Sequence, residues 1–222
     1  NMPISLSIAS GKGGVGKTTM AINLAIMQAK TSNCLLLDAD MGMANAHILL
    51  GINPELTIKD FFDGSCSIEK VITVGPENLM FMSGGSGLTE LLNIDKNKKL
   101  NFIRTFDQIS SKIDNLIVDV SAGAEDSSLS LLSASDKILI VLVNEPTSFT
   151  DAFTLIKVCH LEFGLREFCL AVNMVDNEIQ GKEIYVKFSK ILRKFYDVNI
   201  TYVGSVPLNK TIKKSLGLHK LI

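Results

Sequence analysis

The sequence predicts an α/β fold: a doubly wound, mostly parallel sheet with helices on both faces. Three observations point there. Short continuous apolar runs alternate with longer amphipathic ones, the order of βαβ units whose strands are covered on both faces. A glycine-rich stretch, residues 11–19, separates the first apolar run from the first amphipathic one. Two later apolar runs end in aspartate, where a parallel strand hands its loop to the ligand edge of a sheet.

The elements follow in order. Residues 4–9 alternate Ile, Ser, Leu, Ser, Ile and Ala and form the first strand candidate. Residues 18–29 form the first helix, opening on Met20, Ala21, Ile22 and Leu24. A second strand at 34–37 and a helix at 45–50 come next. Segment 54–97 is the least regular, with Pro54, Gly64, Gly75, Pro76 and a Ser-Gly-Gly-Ser-Gly run at 83–87. It holds a strand at 79–82 and, after a flexible connection, a helix at 88–93. A helix at 98–112, a strand at 115–118, a helix at 127–133 and a strand at 138–143 continue the alternation. Residues 148–163 place Phe149, Ala152, Phe153, Ile156 and Leu161 on one helical face. A strand at 168–172, a helix at 182–195, a strand at 199–203 and a helix at 210–216 complete the chain. With no repeat, low-complexity tract or linker, residues 1–222 read as one domain.

Composition narrows the function. Hydrophobic residues make up 46% and charged residues 20% of the 222, with a net charge of −1, an ordinary globular balance with material for a core. The absence of a basic excess argues against nucleic acid as a partner. Lys182, Lys187, Lys190, Arg193 and Lys194 on or near one helix read as a solvated face. The four cysteines, Cys34, Cys66, Cys159 and Cys169, contain no Cys-x-x-Cys pair, which implies a reducing compartment without a disulfide framework. An iron–sulfur site would need several thiolates together. No signal peptide or bilayer-spanning apolar run is present, so a cytoplasmic location is expected. Asn1 ahead of Met2 reads as a remnant at a trimmed end, and the abrupt apolar stop at 216–222 suggests that native sequence continued.

The chemistry concentrates in the first loop. Gly11…Gly16-Lys17-Thr18 between strand and helix fits a phosphate-binding loop. Its glycines let successive N–H groups converge on one anion, and the helix start adds a positive dipole end. The expected phosphate cradle is Gly11, Gly13, Gly14, Val15, Gly16, Lys17, Thr18 and Thr19. Lys17 would reach the β- and γ-phosphates of ATP, with the Thr18 hydroxyl on Mg²⁺. The second strand ends in Asp38-Ala39-Asp40. Asp38 can hold a magnesium-bound water and Asp40 can orient the attacking water, since phosphoryl transfer needs positioning and charge more than covalent help. Asp119 closes the run Leu116-Ile117-Val118 and is the third Mg²⁺-site candidate; Gly123 after it can offer an N–H to the γ-phosphate.

Lys12 is a second lysine that an ordinary phosphate loop does not need. The form Lys12-Gly13-Gly14-Val15-Gly16-Lys17-Thr18 resembles the deviant Walker A motif of the ParA/MinD family of dimerising P-loop ATPases. The resemblance runs from Ser5 to about Lys214. It implies that Lys12 reaches into a partner subunit's site, that an ATP-bound homodimer forms, and that Mg²⁺-dependent hydrolysis to ADP and phosphate is slow and dimer-activated. Asp119…Gly123 matches the family's second switch. Asn173 matches its adenine-contacting asparagine and Pro207 the proline whose backbone lies beside the base, while Asn209 stands in place of the common acid. Within the family, Asp38-Ala-Asp-Met-Gly-Met-Ala-Asn45 and Glu145-Pro-Thr-Ser-Phe-Thr-Asp-Ala152 are similar to the FlhG branch (YlxH, FleN) of flagellar number and placement regulators. That branch implies an FlhF-type GTPase and flagellar switch or basal-body proteins as partners. It also implies peripheral contact with the inner face of the membrane through a tail not visible in these residues. ParA-type DNA partitioning or MinD-type division-site selection is the alternative, and an iron–sulfur branch is disfavoured by the scattered cysteines.

Overall fold

The computed structural model describes residues 3–40, 46–84, 88 and 107–208. One eight-stranded sheet organises them, in the order β3-β4-β2-β5-β1-β6-β7-β8. The strands are β1 (Ile4–Ala9), β2 (Cys34–Ala39), β3 (Thr73–Val74), β4 (Met80–Ser83), β5 (Asn115–Val120), β6 (Lys137–Val143), β7 (Glu167–Val175) and β8 (Asn199–Pro207). All neighbours are parallel except β3 and β4. The described helices are α1 (Lys17–Ala29), α2 (Ala46–Leu50), α3 (Ile58–Phe62), α4 (Asp126–Ser133), α5 (Pro146–Phe163) and α6 (Glu178–Arg193).

Alternate side chains of each strand enter opposite cores. Leu35, Leu37, Val118, Val120, Ile140, Leu142, Leu170 and Val172 pack on one face with Leu129 and Leu132 of α4, Ile156 of α5 and Phe188 of α6. Leu36, Phe81, Ile117, Leu139 and Val141 pack on the other with Ala21, Ile22 and Ala25 of α1. Both faces are therefore covered, which is why these strands read as unbroken apolar runs. Each fully buried Leu, Ile or Phe contributes roughly 1.5–3 kcal/mol.

The doubly wound expectation is met, and β1 lies at the turning point. The chain builds outward to β2 on one side and to β6, β7 and β8 on the other. Loops after β1, β2, β5 and β7 thus gather at one carboxyl edge. The differences from the sequence reading are local. The 58–62 helix was not expected; Thr57 and Asp60 form a reciprocal capping box, a signal carried by the spacing Thr-x-x-Asp. The short antiparallel β3 was also missed. The helix expected at 182–195 starts earlier, at Glu178, because the Asn177 side chain accepts from Gln180 N at 2.9 Å and caps it. Strands β7 and β8 run on to Val175 and Pro207 around an irregularity after Asn173. Residues 107–110 are helical, as the 98–112 expectation requires, and Leu88 is helical and buried. Residues 111–112 form a turn where the expected helix would have continued, while residues 89–93 and 98–106, the 83–87 connection beyond Gly84, the 210–216 helix and Asn209 lie outside the described residues.

Phe81 is fully buried between β2 and the α1 layer. Phe81→Ala should lower unfolding free energy by about 3–5 kcal/mol, read as a shifted urea midpoint with unchanged slope.

Candidate functional site

The loop from β1 to α1 is shaped by its glycines for two different reasons. Gly14 and Gly16 adopt φ of 78° and 82°, left-handed values that other residues avoid. Gly11 is instead required by close approach: a β-carbon there would strike the backbone of Asp151 and Ala152 in α5. Val15 is buried and anchors the loop, and its carbonyl accepts from Asn173 Nδ2 at 2.8 Å. Gly16 caps α1, whose first turn carries no acidic side chain. The leading N–H groups of α1, at Lys17, Thr18 and Thr19, have no partner within the helix, the feature that suits a helix start to an anion.

Beneath the loop, the parallel ladder aligns the strand-end acids. Asp38 pairs in register with Asp119 across β2 and β5. Lys17 is buried, and its Nζ donates a short bond to Asp119 Oδ1 and lies 3.6 Å from Asp40 Oδ2. Thr18 Oγ1 donates to Asp119 Oδ2 at 2.8 Å. Asp40 N donates to Asp38 Oδ1 at 3.1 Å, and Ser121 Oγ donates to Asp40 Oδ1 at 3.3 Å. One ammonium thus meets two carboxylates, Asp119 and Asp40, with Asp38 beside them. Burial, then the nearby Asp119 charge, pushes the Asp38 carboxyl up to about 7. Burial also raises Asp119, against the opposing pull of Lys17 and Thr18. Asp38 Oδ2 is buried with no hydrogen-bond partner among the described residues. An orphaned carboxylate oxygen, a second carboxylate and a threonine hydroxyl form a hard oxygen donor set, which fits Mg²⁺.

The outer residues are placed as follows. Lys12 stands on the loop's rim with its side chain 37% exposed; its Nζ donates to Glu145 Oε2 at 2.7 Å and to Thr147 Oγ1 at 3.0 Å of the same chain. Gly123, expected to offer its N–H outward, gives that N–H to Ser10 O at 2.9 Å in this structure. Asn173, two residues before the end of β7, holds the loop through Val15 O, and Pro207 ends β8 opposite Val175. The sequence reading brought together Lys17, Thr18, Asp38, Asp40 and Asp119 as the structure does. It did not find the roles of Ser10, Ser121, Glu145 and Thr147 as partners of the loop and switch residues, because those contacts cross between elements. Lys182, Lys187, Lys190, Arg193 and Lys194 are all exposed, the solvated face expected.

Comparison with known proteins agrees with this geometry. The family profile described as ParA, NUBPL iron-transfer P-loop NTPase, matches residues 2–220. The antiactivator FleN of Pseudomonas aeruginosa is 35% identical over 98% of this chain and 78% of its own length. The flagellum site-determining protein YlxH of Helicobacter pylori is 27% identical over 98% and 74%. The solved structure of the cell division protein MinD from Aquifex aeolicus superposes with a TM-score of 0.78 at 25% identity, covering 99% of this chain and 88% of that one.

The Asp38 carboxyl titrates near 7 when folded, against an ordinary 3.8. Between those values the folded chain holds a proton that the unfolded chain has released. The stability this proton carries is complete below the lower value and lost as pH rises through the upper one. In EDTA without nucleotide, Asp38→Asn should therefore be favoured over wild type by about 2–3 kcal/mol more at pH 8 than at pH 5. Chemical unfolding of both proteins across this range measures it.

Proposed function

The chain belongs to the ParA family of P-loop NTPases, and from that premise we propose that it is an ATP-driven dimerisation switch of MinD type that regulates flagellar number and placement. The observation that carries the reading is that the two lysines of one loop point in opposite directions. Lys17 is buried against the strand-end acids, while Lys12 stands partly exposed at the rim, held by Glu145 and Thr147 of its own chain, where a group arriving from outside can also reach it. The likeness to FleN and YlxH supports the flagellar output over division-site or DNA-partitioning roles. The iron-transfer description does not extend to this chain's cysteines, which stand on four separate segments of the fold.

In the proposed mechanism the α1 N-terminus and the loop N–H groups bind the phosphates of ATP. Lys17 leaves Asp119 for the β- and γ-phosphates, which offer it a denser negative charge. Thr18, Asp38 and Asp119 would hold Mg²⁺ or its waters, and the ion would supply stabilisation of negative charge on the phosphates. Asp40 orients a water toward the γ-phosphorus. The water oxygen bonds to that phosphorus as its bond to the β–γ bridging oxygen breaks, and the water's proton passes to the phosphate, giving ADP and orthophosphate. Gly123 turns its N–H from Ser10 to the γ-phosphate. Asn173 and Pro207 border the base. Lys12 exchanges Glu145 for the phosphates of a second copy, so full charge stabilisation waits for the dimer. An FlhF-type GTPase and flagellar basal-body proteins are the proposed partners, with peripheral membrane contact; among the described residues no helix is long and apolar enough to cross a membrane.

Two variants test the switch by light scattering and phosphate release under saturating ATP and Mg²⁺. Lys12→Ala should still bind ATP as a monomer but lose the ATP-induced dimer and most turnover. A wild-type dimer in this variant would sink the trans role.

Asp40→Ala should bind ATP and accumulate as dimer, with hydrolysis slowed by about 10²–10⁴. Wild-type turnover would remove Asp40 from the water-orienting role.

A further inference from the structure

Strands β2 and β5 run side by side, and their last paired residues are Ala39 and Val120. The next residue is Asp40 on one strand and Ser121 on the other. Just past its end the ladder therefore brings a carboxylate and a hydroxyl together. Ser121 Oγ lies 3.3 Å from Asp40 Oδ1 and 3.3 Å from Ala39 O. One proton serves both acceptors, which accounts for two long legs in place of one short bond. The carboxylate is the stronger acceptor because it is charged. The serine is itself tied down from behind: Ser121 O accepts from Ser128 Oγ at 3.3 Å, and Ser128 is buried in α4.

The two oxygens of Asp40 are thus held from two different elements. Oδ1 meets the serine after β5, and Oδ2 lies 3.6 Å from Lys17 Nζ of α1. Nucleotide acts differently on the two holds. In the mechanism above Lys17 moves to the phosphates, so the Oδ2 contact is given up when the carboxylate is needed. The Ser121 contact involves no phosphate-binding group and survives that exchange. Asp40 has a side chain 23% exposed, so packing alone does not fix it. Aligning a water for attack is a matter of about an ångström or less.

We propose that Ser121 is a positioning residue for hydrolysis: its hydroxyl fixes the Asp40 carboxylate once Lys17 has left it, so that the carboxylate stays aimed at the water. The inference deepens the reading of Asp40 given above and rests on it. Ser121 acts only through Asp40, and no proton leaves the serine. Its loss therefore falls on turnover and spares ATP affinity.

The test compares wild type, Ser121→Ala, Asp40→Ala and the double variant. ATP affinity is measured by calorimetry with Mg²⁺, and phosphate release at saturating ATP. Ser121→Ala should bind ATP as wild type does and release phosphate about 5- to 20-fold more slowly, the effect of losing one shared hydrogen bond to a charged group. In the Asp40→Ala background the same change should slow release by less than about 2-fold, since the carboxylate it acts through is gone. An equal fall in both backgrounds overturns the proposal, because a merely structural serine does not need Asp40. Wild-type turnover in Ser121→Ala overturns it, and so does a fall in turnover matched by lost ATP affinity, which is damage to the cradle. A wild-type chain that releases no phosphate, or an Asp40→Ala chain that releases it at the wild-type rate, overturns the hydrolysis reading itself, and this inference falls with it.

Discussion

The buried contact between Lys17 and Asp119 is the constraint around which the molecule is arranged. It joins the first turn of α1 to the end of β5, two elements far apart in sequence, beneath the glycine loop. Burying these charges is costly unless each is fully engaged. The Thr18 hydroxyl and Asp40 supply the further partners, and Asp40 is itself placed by Ser121 and the Asp38 carboxylate. Removing the lysine would leave Asp119 uncompensated in the core, a loss on the order of 3–5 kcal/mol. The site therefore has a structural role before it has a chemical one.

A second consequence is that the proposed nucleotide-contacting groups are already engaged. Lys17 holds Asp119, Lys12 holds Glu145 and Thr147, Asn173 holds Val15, and Gly123 holds Ser10. On the proposed reading, ATP binding is an exchange of partners within a pre-formed cradle. The exchange is favourable because the phosphates bring more negative charge to the two lysines than single carboxylates do, and because a cation offsets the acids left behind. The surface pair of Lys12 and Glu145 is half in solvent and worth little by itself, so it yields readily to a stronger anion.

Much of this was legible in the chain. The order of strands and helices followed largely from continuous apolar runs, as strands buried on both faces of a parallel sheet favour; the central β1 departs from this, with Ser7 buried against Ser135. The loop and the three aspartates were legible because each sits at a strand end, a position readable from local pattern. Other features were not. The short α3 was hidden in a segment rich in Gly and Pro, although Thr57 and Asp60 carried its cap. The β7 bulge was invisible because it is a mismatch in pairing between Asn173–Val175 and Val206–Pro207 of β8, which no run of residue types in β7 alone announces.

Sequence by itself determined the fold class, the anion-binding loop and the identity of the acids around it, since these depend on residue type at short spacing. Only the tertiary structure decided which groups meet. The side-by-side placement of Asp38 and Asp119 follows from the β2–β5 register, and the hold of Glu145 on Lys12 from α5 packing against Gly11. Each of these contacts spans dozens of residues, and its distance is set by how the strands align, a quantity that no local pattern encodes.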